Sequence, residues 1–169
     1  MQRPNKDEYN PYYETYISKV PNGNILDLLA GQIETVKKIT GNISEEKGLH
    51  KYAPGKWTIK QLLGHINDTE RVFSYRALRF SRNDKTLLPG FEQDDFVNES
   101  NSDNIKVSDL VEEFIKIRES NLVMFKNFTE EMWKRRGVAS NNPISVRALP
   151  YIMFGHVEHH LNILKEKYL

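Results

Sequence analysis

The stretch TIKQLLGHINDTERVFSYRALRFSR, residues 58–82, spaces Ile59, Leu62, Leu63, Ile66, Phe73, Ala77 and Phe80 three or four positions apart. That is the spacing of one apolar helix face. Thr58 followed by Gln61 has the form of a capping box, in which each side chain satisfies a backbone N–H that the first turn leaves free. Three other segments repeat the pattern. Ile25, Leu28, Leu29, Ile33, Val36 and Ile39 mark a helix over about 24–41, after a Pro21-Asn22-Gly23 start signal. Leu110, Phe114, Ile117, Phe125 and Phe128 mark one over about 109–128, with Ser108 as its cap. The fourth runs from Ser145 to the C-terminus through Leu149, Ile152, Met153, Leu161 and Leu164; Pro150 sits either in its first turn or at a kink. Thr129 caps a short extra helix through Trp133, ended by Gly137. No segment alternates with period two, so no sheet is expected. Four helices of about 30 Å, each with one apolar stripe, imply an all-α four-helix bundle, one domain over residues 1–169.

Between the second and third helices, Asn83–Val107 holds Pro89, Gly90 and many Asp, Asn and Ser residues, a long loop of the kind used as a lid. Phe91 and Phe96 within it are expected to line or cover a pocket.

Bulk composition excludes several functions. The 24 Lys and Arg nearly balance the 23 Asp and Glu, so no net field draws the chain to nucleic acid or an anionic membrane. No apolar run approaches the roughly 20 residues of a membrane span, and MQRPNKDEYN has no signal-peptide core, so a cytoplasmic location is expected. Cysteine is absent, which removes disulfides, thiolate ligands and a cysteine nucleophile.

Four of the five histidines lie on the second and fourth helices. His156 and His160 are four apart and share the face of Ile152 and Met153, so they can grip one ion. His159 lies about 60° further round, an alternate ligand or a group behind the ligands. His65, on the flank of the second helix's stripe beside Leu62, Thr69, Val72 and Arg76, is the candidate third ligand. A lone histidine on an apolar face is more often a hydrogen-bonded core residue than a ligand. Three on facing helices are costly to bury without a common partner, which favours a divalent metal, and three imidazoles leave coordination positions open. Val157 stands where a zinc protease has its general base, and Glu158 should face away, about 200° from His156. His50, in a loop, reads as ordinary surface.

Glu70 and Arg118 fall on apolar stripes, where charges need partners. An ion pair between them is the simple reading; a place for Glu70 behind the metal ligands, or as proton acceptor, is the functional one. Arg76 reads as a solvated arginine first and a guide for an anionic substrate second. Trp57 and Trp133 read as packing residues, and the Lys134-Arg135-Arg136 run as a helix end.

The stretches Lys56-Trp57-Thr58-Ile59, Gly64-His65-Ile66-Asn67-Asp68-Thr69-Glu70-Arg71, Leu88-Pro89-Gly90-Phe91 and Gly155-His156-Val157-Glu158-His159-His160 together resemble the DinB/YfiT-like superfamily of metal-dependent enzymes. The similarity runs from Tyr9-Asn10-Pro11-Tyr12-Tyr13 to the final helix. The resemblance implies up-down-down-up connectivity and a metal, zinc or nickel, held by His65, His156 and His160. It also implies a small-molecule substrate, and either transfer to a low-molecular-weight thiol such as bacillithiol or mycothiol, or hydrolysis. A homodimer is raised by the resemblance alone. The rival expectation is a non-catalytic metal-binding stress-response protein; a cleft reaching the open metal position would count against it.

Overall fold

A computed structural model describes residues 2–169. After two single turns at Lys6–Glu8 and Pro11–Tyr13, the helices are α1 (Glu14–Ile17), α2 (Ile25–Thr40), α3 (Glu45–Gly48), α4 (Ile59–Ser81), α5 (Gln93–Glu99), α6 (Val107–Lys126), α7 (Glu130–Lys134) and α8 (Ala148–Ile163). The last is continued by a wider π turn over Leu164–Tyr168. The four long ones, α2, α4, α6 and α8, form a bundle in which α2 and α4 each pack on both α6 and α8. Their stripes meet in two apolar clusters. One, around Phe73, Phe80, Phe125 and Ile152, lies toward the hairpin end; the other, around Leu62, Ile66, Phe114 and Leu161, lies toward the start of α4.

The connectivity is up-down-down-up, and it explains the long loop. Asn67 donates to Leu110 O and Glu113, and Ser74 to Asn121, so α4 and α6 run in the same direction. Two successive parallel helices need a connection that returns along the bundle. With 23 residues, α4 is about 34 Å long. The return ends at Asp103, whose carboxylate accepts from Thr58 Oγ1 and Gln61 Nε2 at the start of α4. The loop thus crosses the bundle and carries α5 on the way.

Local chemistry sets the helix ends. Thr58 and Gln61 form the expected box at 3.0 Å in both directions, and Thr129 accepts from Met132 N. Ser108 is not a cap: α6 starts at Val107 after Lys106, and Ser108 Oγ donates to Asp109. Nor does the fourth helix start at Ser145, whose hydroxyl instead accepts from Ala148 N, the first helical residue. Pro150 is the third residue of α8, where its missing N–H is one that no helix bonds internally. It therefore sits in the first turn.

A sheet does exist. β1 (Arg136–Ala139) and β2 (Asn142–Ser145) form an antiparallel hairpin pairing Arg136 with Ser145 and Ala139 with Asn142. Gly137 lies in β1 rather than ending α7, because a Cβ there would overlap the Phe80 ring. Ser140 and Asn141 turn the chain with φ of 52° and 61°, the left-handed pair a tight hairpin requires. Four-residue strands are too short to show alternation in sequence, and Ser-Asn is a weaker signal than Asn-Gly. Leu88 joins the edge: its N–H donates to Val138 O, and its carbonyl accepts from Ser140 N. No described helix is long and apolar enough to cross a membrane.

Candidate metal centre

His156 and His160 share one face of α8, and His65 faces them from α4. Their Nε2 atoms converge: His65 to His156 is 3.0 Å and His160 to His156 is 3.1 Å. One ligand atom from each lies within 4.8 Å of the others. The three are buried, at 3%, 5% and 8% exposure.

Burial, and then mutual repulsion in the case of His156 and His160, holds both of those imidazoles well below the usual histidine range. His65 is lowered to about 4, chiefly by burial. All three are therefore neutral at physiological pH, the state in which imidazole binds metal. Nitrogens 3.0–3.1 Å apart are spanned by two bonds of about 2.0–2.2 Å meeting at roughly 90–100°. The trio thus caps one side of an ion-sized point and leaves the other side open. A divalent cation satisfies three converging lone pairs together, so the donor set fits the group. One feature departs from the usual support of metal-binding histidines: the buried Nδ1 of His160 has no partner among the described residues.

The walls are aromatic. Trp57, read from sequence as packing, lies 4.8 Å from the His65 ring and stacks at 6.5 Å on His160. Tyr16 meets His156 edge-on at 5.4 Å and His159 at 5.6 Å. Gly155 makes this approach feasible, since a Cβ there would overlap the Tyr16 carbonyl. Glu158 faces away, as its helical position requires, and accepts from Gln32 Nε2 on α2 at 2.9 Å.

Two cavities reach the trio. An outer one of about 380 Å³ touches His160 and is lined by Trp57, Tyr16, Asp94 and His159 among others. An inner one of about 140 Å³ touches His65 and His156 and is lined by Tyr13, Thr69, Arg76, Phe91 and Ser140 among others. His159 is thus at the outer cavity, partly exposed, beside His160 at 5.1 Å.

Other candidates fall differently. Phe91 lines the inner cavity, whereas Phe96 is exposed, sits against Phe91 at 4.9 Å and borders an apolar groove outside it. Arg76 is no solvated surface residue: it is buried, with Nη2 donating to Pro89 O and Ser140 Oγ. Glu70 makes no hydrogen bond to a histidine among the described residues. Arg118 takes both its oxygens at 2.6 and 3.0 Å, and Asn121 donates to it as well. His50 is exposed.

The sequence profile of the DinB superfamily matches residues 28–164, a span that holds the trio, α4, α6, α8 and all but the first three residues of α2. The chain belongs to the DinB superfamily. Its structure is similar to that of YfiT from Bacillus subtilis, described as a probable metal-dependent hydrolase with an unusual four-helix bundle topology. The two share 14% identity, with a TM-score of 0.73 over 98% of this chain and 90% of that one, a likeness that shows the fold. No protein of curated function matches. For this DinB member, Asp94, Ser140 and Tyr16 are site residues that helical periodicity did not single out. Asp94 lies on the seven-residue helix of the crossover and Tyr16 on a helix of four residues, both too short to show a periodic stripe, and Ser140 lies on the hairpin turn, where no wheel applies.

Proposed function

We propose that this DinB protein is an enzyme that holds one divalent metal, zinc or nickel, through His65, His156 and His160 and acts on a small molecule. The observation that carries the reading is the convergence of three buried, neutral imidazoles at a point that solvent cavities reach. A purely structural ion would be sealed; access favours catalysis over the non-catalytic reading. When bound, such an ion lowers the pKa of a thiol or water brought to it, and so supplies a nucleophile near neutral pH.

The protein's own residues supply orientation and shelter. His65 and His156 bring their Nε2 atoms to 3.0 Å of each other, and the Trp57 and Tyr16 rings, packed against His65 and His156, hold the imidazoles in that orientation. Burial raises the Tyr16 phenol above its usual range, and its hydroxyl lies 3.1 Å from that of Tyr12. Tyr16 therefore stays protonated and acts as a neutral hydrogen-bonding group at the rim of both cavities.

For the reaction we favour transfer to a small thiol. No carboxylate lines the inner cavity among the described residues, and the chain has no cysteine, so a borrowed thiol removes the need for a protein base. Hydrolysis is the second reading, supported by Asp94 in the outer cavity, where a carboxylate can accept a proton.

The test is metal analysis of protein purified without chelator, followed by assay. Loaded protein is incubated with 1-chloro-2,4-dinitrobenzene or a nitrophenyl ester, with and without bacillithiol or mycothiol. About one metal per chain, lost in His65→Ala together with thiol-dependent turnover, is expected. Ester turnover without thiol, lost in the same variant, overturns the thiol preference, and failure to retain any divalent ion overturns the metal reading.

A further inference from the structure

Three cations, Lys60, Arg76 and Arg118, are buried in this fold. Lys60 pairs with Glu45 at 2.7 Å and Arg118 with Glu70 at 2.6 Å. Arg76, 3% exposed, has no carboxylate within 4.0 Å among the described residues. An uncompensated buried guanidinium is expensive, and burial accordingly pulls its pKa down. The fold nonetheless fixes it in place from three sides. Phe73 lies under it at 5.6 Å, Pro89 O accepts from Nη2 at 3.1 Å, and Ser140 Oγ accepts from Nη2 at 3.0 Å.

Both acceptors come from segments that are themselves locked. Ser140 occupies a left-handed turn position, and its N–H is tied to Leu88 O, one residue before Pro89. Both of these bonds use Nη2, and Tyr13 on the cavity wall is a further side-chain hydrogen-bond partner of the guanidinium. With two N–H groups on Pro89 and Ser140 and one toward Tyr13, the five-donor guanidinium keeps two N–H groups with no carboxylate to meet, and Arg76 lines the inner cavity together with His65 and His156. A second polar group is also without a partner there: the buried hydroxyl of Thr69, one turn from His65 on the same helix face.

We propose that the inner cavity is an anion subsite, in which Arg76 grips a carboxylate of the substrate with two N–H groups and Thr69 contacts the segment between that carboxylate and the reacting centre. The proposal rests on the reading of the histidine trio as the reactive end. A planar guanidinium held by neutral acceptors, with two N–H groups left over and no counterion, is suited to two-point capture of a carboxylate. The cavity is open to solvent, so its volume of about 140 Å³ describes the part of the ligand held beside Arg76 and Thr69 and not the whole of it. His65 and Arg76 are eleven residues apart on α4, about 16 Å along the axis between α-carbons, with the long Arg76 side chain leaning back toward His65. The substrate class is therefore an elongated organic acid whose reactive atom lies at the opposite end from its carboxylate.

The experiment uses the full chain, stripped of metal by chelator and held at pH 8 and constant ionic strength, so that its outcome does not depend on the metal reading. Backbone amides of Thr69 and Ser140 are followed by two-dimensional NMR during titration with acetate and, separately, with its neutral isostere acetamide. Saturable shifts with acetate and none with acetamide are expected, weakened at least tenfold in Arg76→Gln. Where Arg76→Gln fails to fold, Arg76→Lys is titrated instead, and at least threefold weakening is expected because the ammonium keeps the charge and loses the fork. Equal responses to acetate and acetamide, no saturation, or unchanged affinity in the folded variant overturn the subsite. Loss of the metal reading would appear separately, as protein that retains no ion while the acetate response persists.

Discussion

Removing the Glu70 carboxylate tests the physics beneath the site. The Glu70 and Arg118 side chains are 1% and 0% exposed and meet through two parallel bonds of 2.6 and 3.0 Å. Asn121 adds a third donor to Glu70, while Arg118 Nη1 donates to Leu29 O and Gln32 Oε1 on α2. Gln32 in turn donates to Phe154 O and Glu158 on α8. One network therefore ties all four long helices together. In Glu70→Ala, Arg118 keeps its charge in a dry interior and loses its only counterion among the described residues. Breaking a buried pair this way costs about 3–5 kcal/mol, a large fraction of the 5–15 kcal/mol that holds a typical domain folded.

The assay is urea denaturation of the wild type, Glu70→Ala, Arg118→Ala and the double variant, with midpoints and slopes compared. Each single change should cost about 3–5 kcal/mol, and the double change should cost less than the sum by about 2–3 kcal/mol, because the second removal discharges the orphan left by the first. Small, additive losses under about 1 kcal/mol would refute the argument, since they would mean that water or a rearranged partner already compensates each charge.

Further outcomes follow from particular contacts. Gly155→Ala places a methyl against the Tyr16 carbonyl, a backbone atom that cannot rotate aside, so a loss of about 1–3 kcal/mol is expected, read as a fall in Tm of about 2–4 °C per kcal/mol; an unchanged Tm would show that α1 is not held there. Acid titration of metal-free protein reports on His65: its folded pKa of about 4 lies below the unfolded 6.5, so the unfolded chain binds the proton first. That contribution, about 3 kcal/mol, is fully present above pH 6.5 and is lost as pH falls toward 4. His65→Phe should flatten this part of the stability profile, and an unaltered slope would contradict it. Thr58→Ala removes both the cap of α4 and the bond to Asp103, and should cost about 1–2 kcal/mol in a denaturant melt.

The bundle and the histidine trio were legible because both are written in one helix period. His65, His156 and His160 take their positions from long helices whose apolar stripes also fix which faces meet. The up-down-down-up connectivity came only from the family resemblance, and the course of the segments that leave and return to the bundle was not legible from periodicity. The crossover's length looked like a lid, yet it follows from α4 and α6 running parallel, a relation no local pattern encodes. The hairpin escaped because its strands have four residues each, and its turn is Ser-Asn. That omission had a chemical consequence. With no hairpin there is no Ser140 to hold a guanidinium and no neighbouring strand edge to hold Pro89, so Arg76 reads as one more solvated arginine on the flank of α4.

The same contrast separates the two ends of the inner cavity. At one end, ligand position is set by rigid helices, which suits a group whose bonds must close to tenths of an ångström. At the other, Arg76 springs from α4 but is aimed by the Pro89 carbonyl and the Ser140 hydroxyl, both on loops that can change in sequence without disturbing the bundle core. On the proposed reading, chemistry and substrate choice are carried by different parts of the chain. A variant at Ser140 should accordingly shift which acid is bound while leaving metal content unchanged, whereas His65→Ala should remove the metal and leave acetate binding at Arg76 intact.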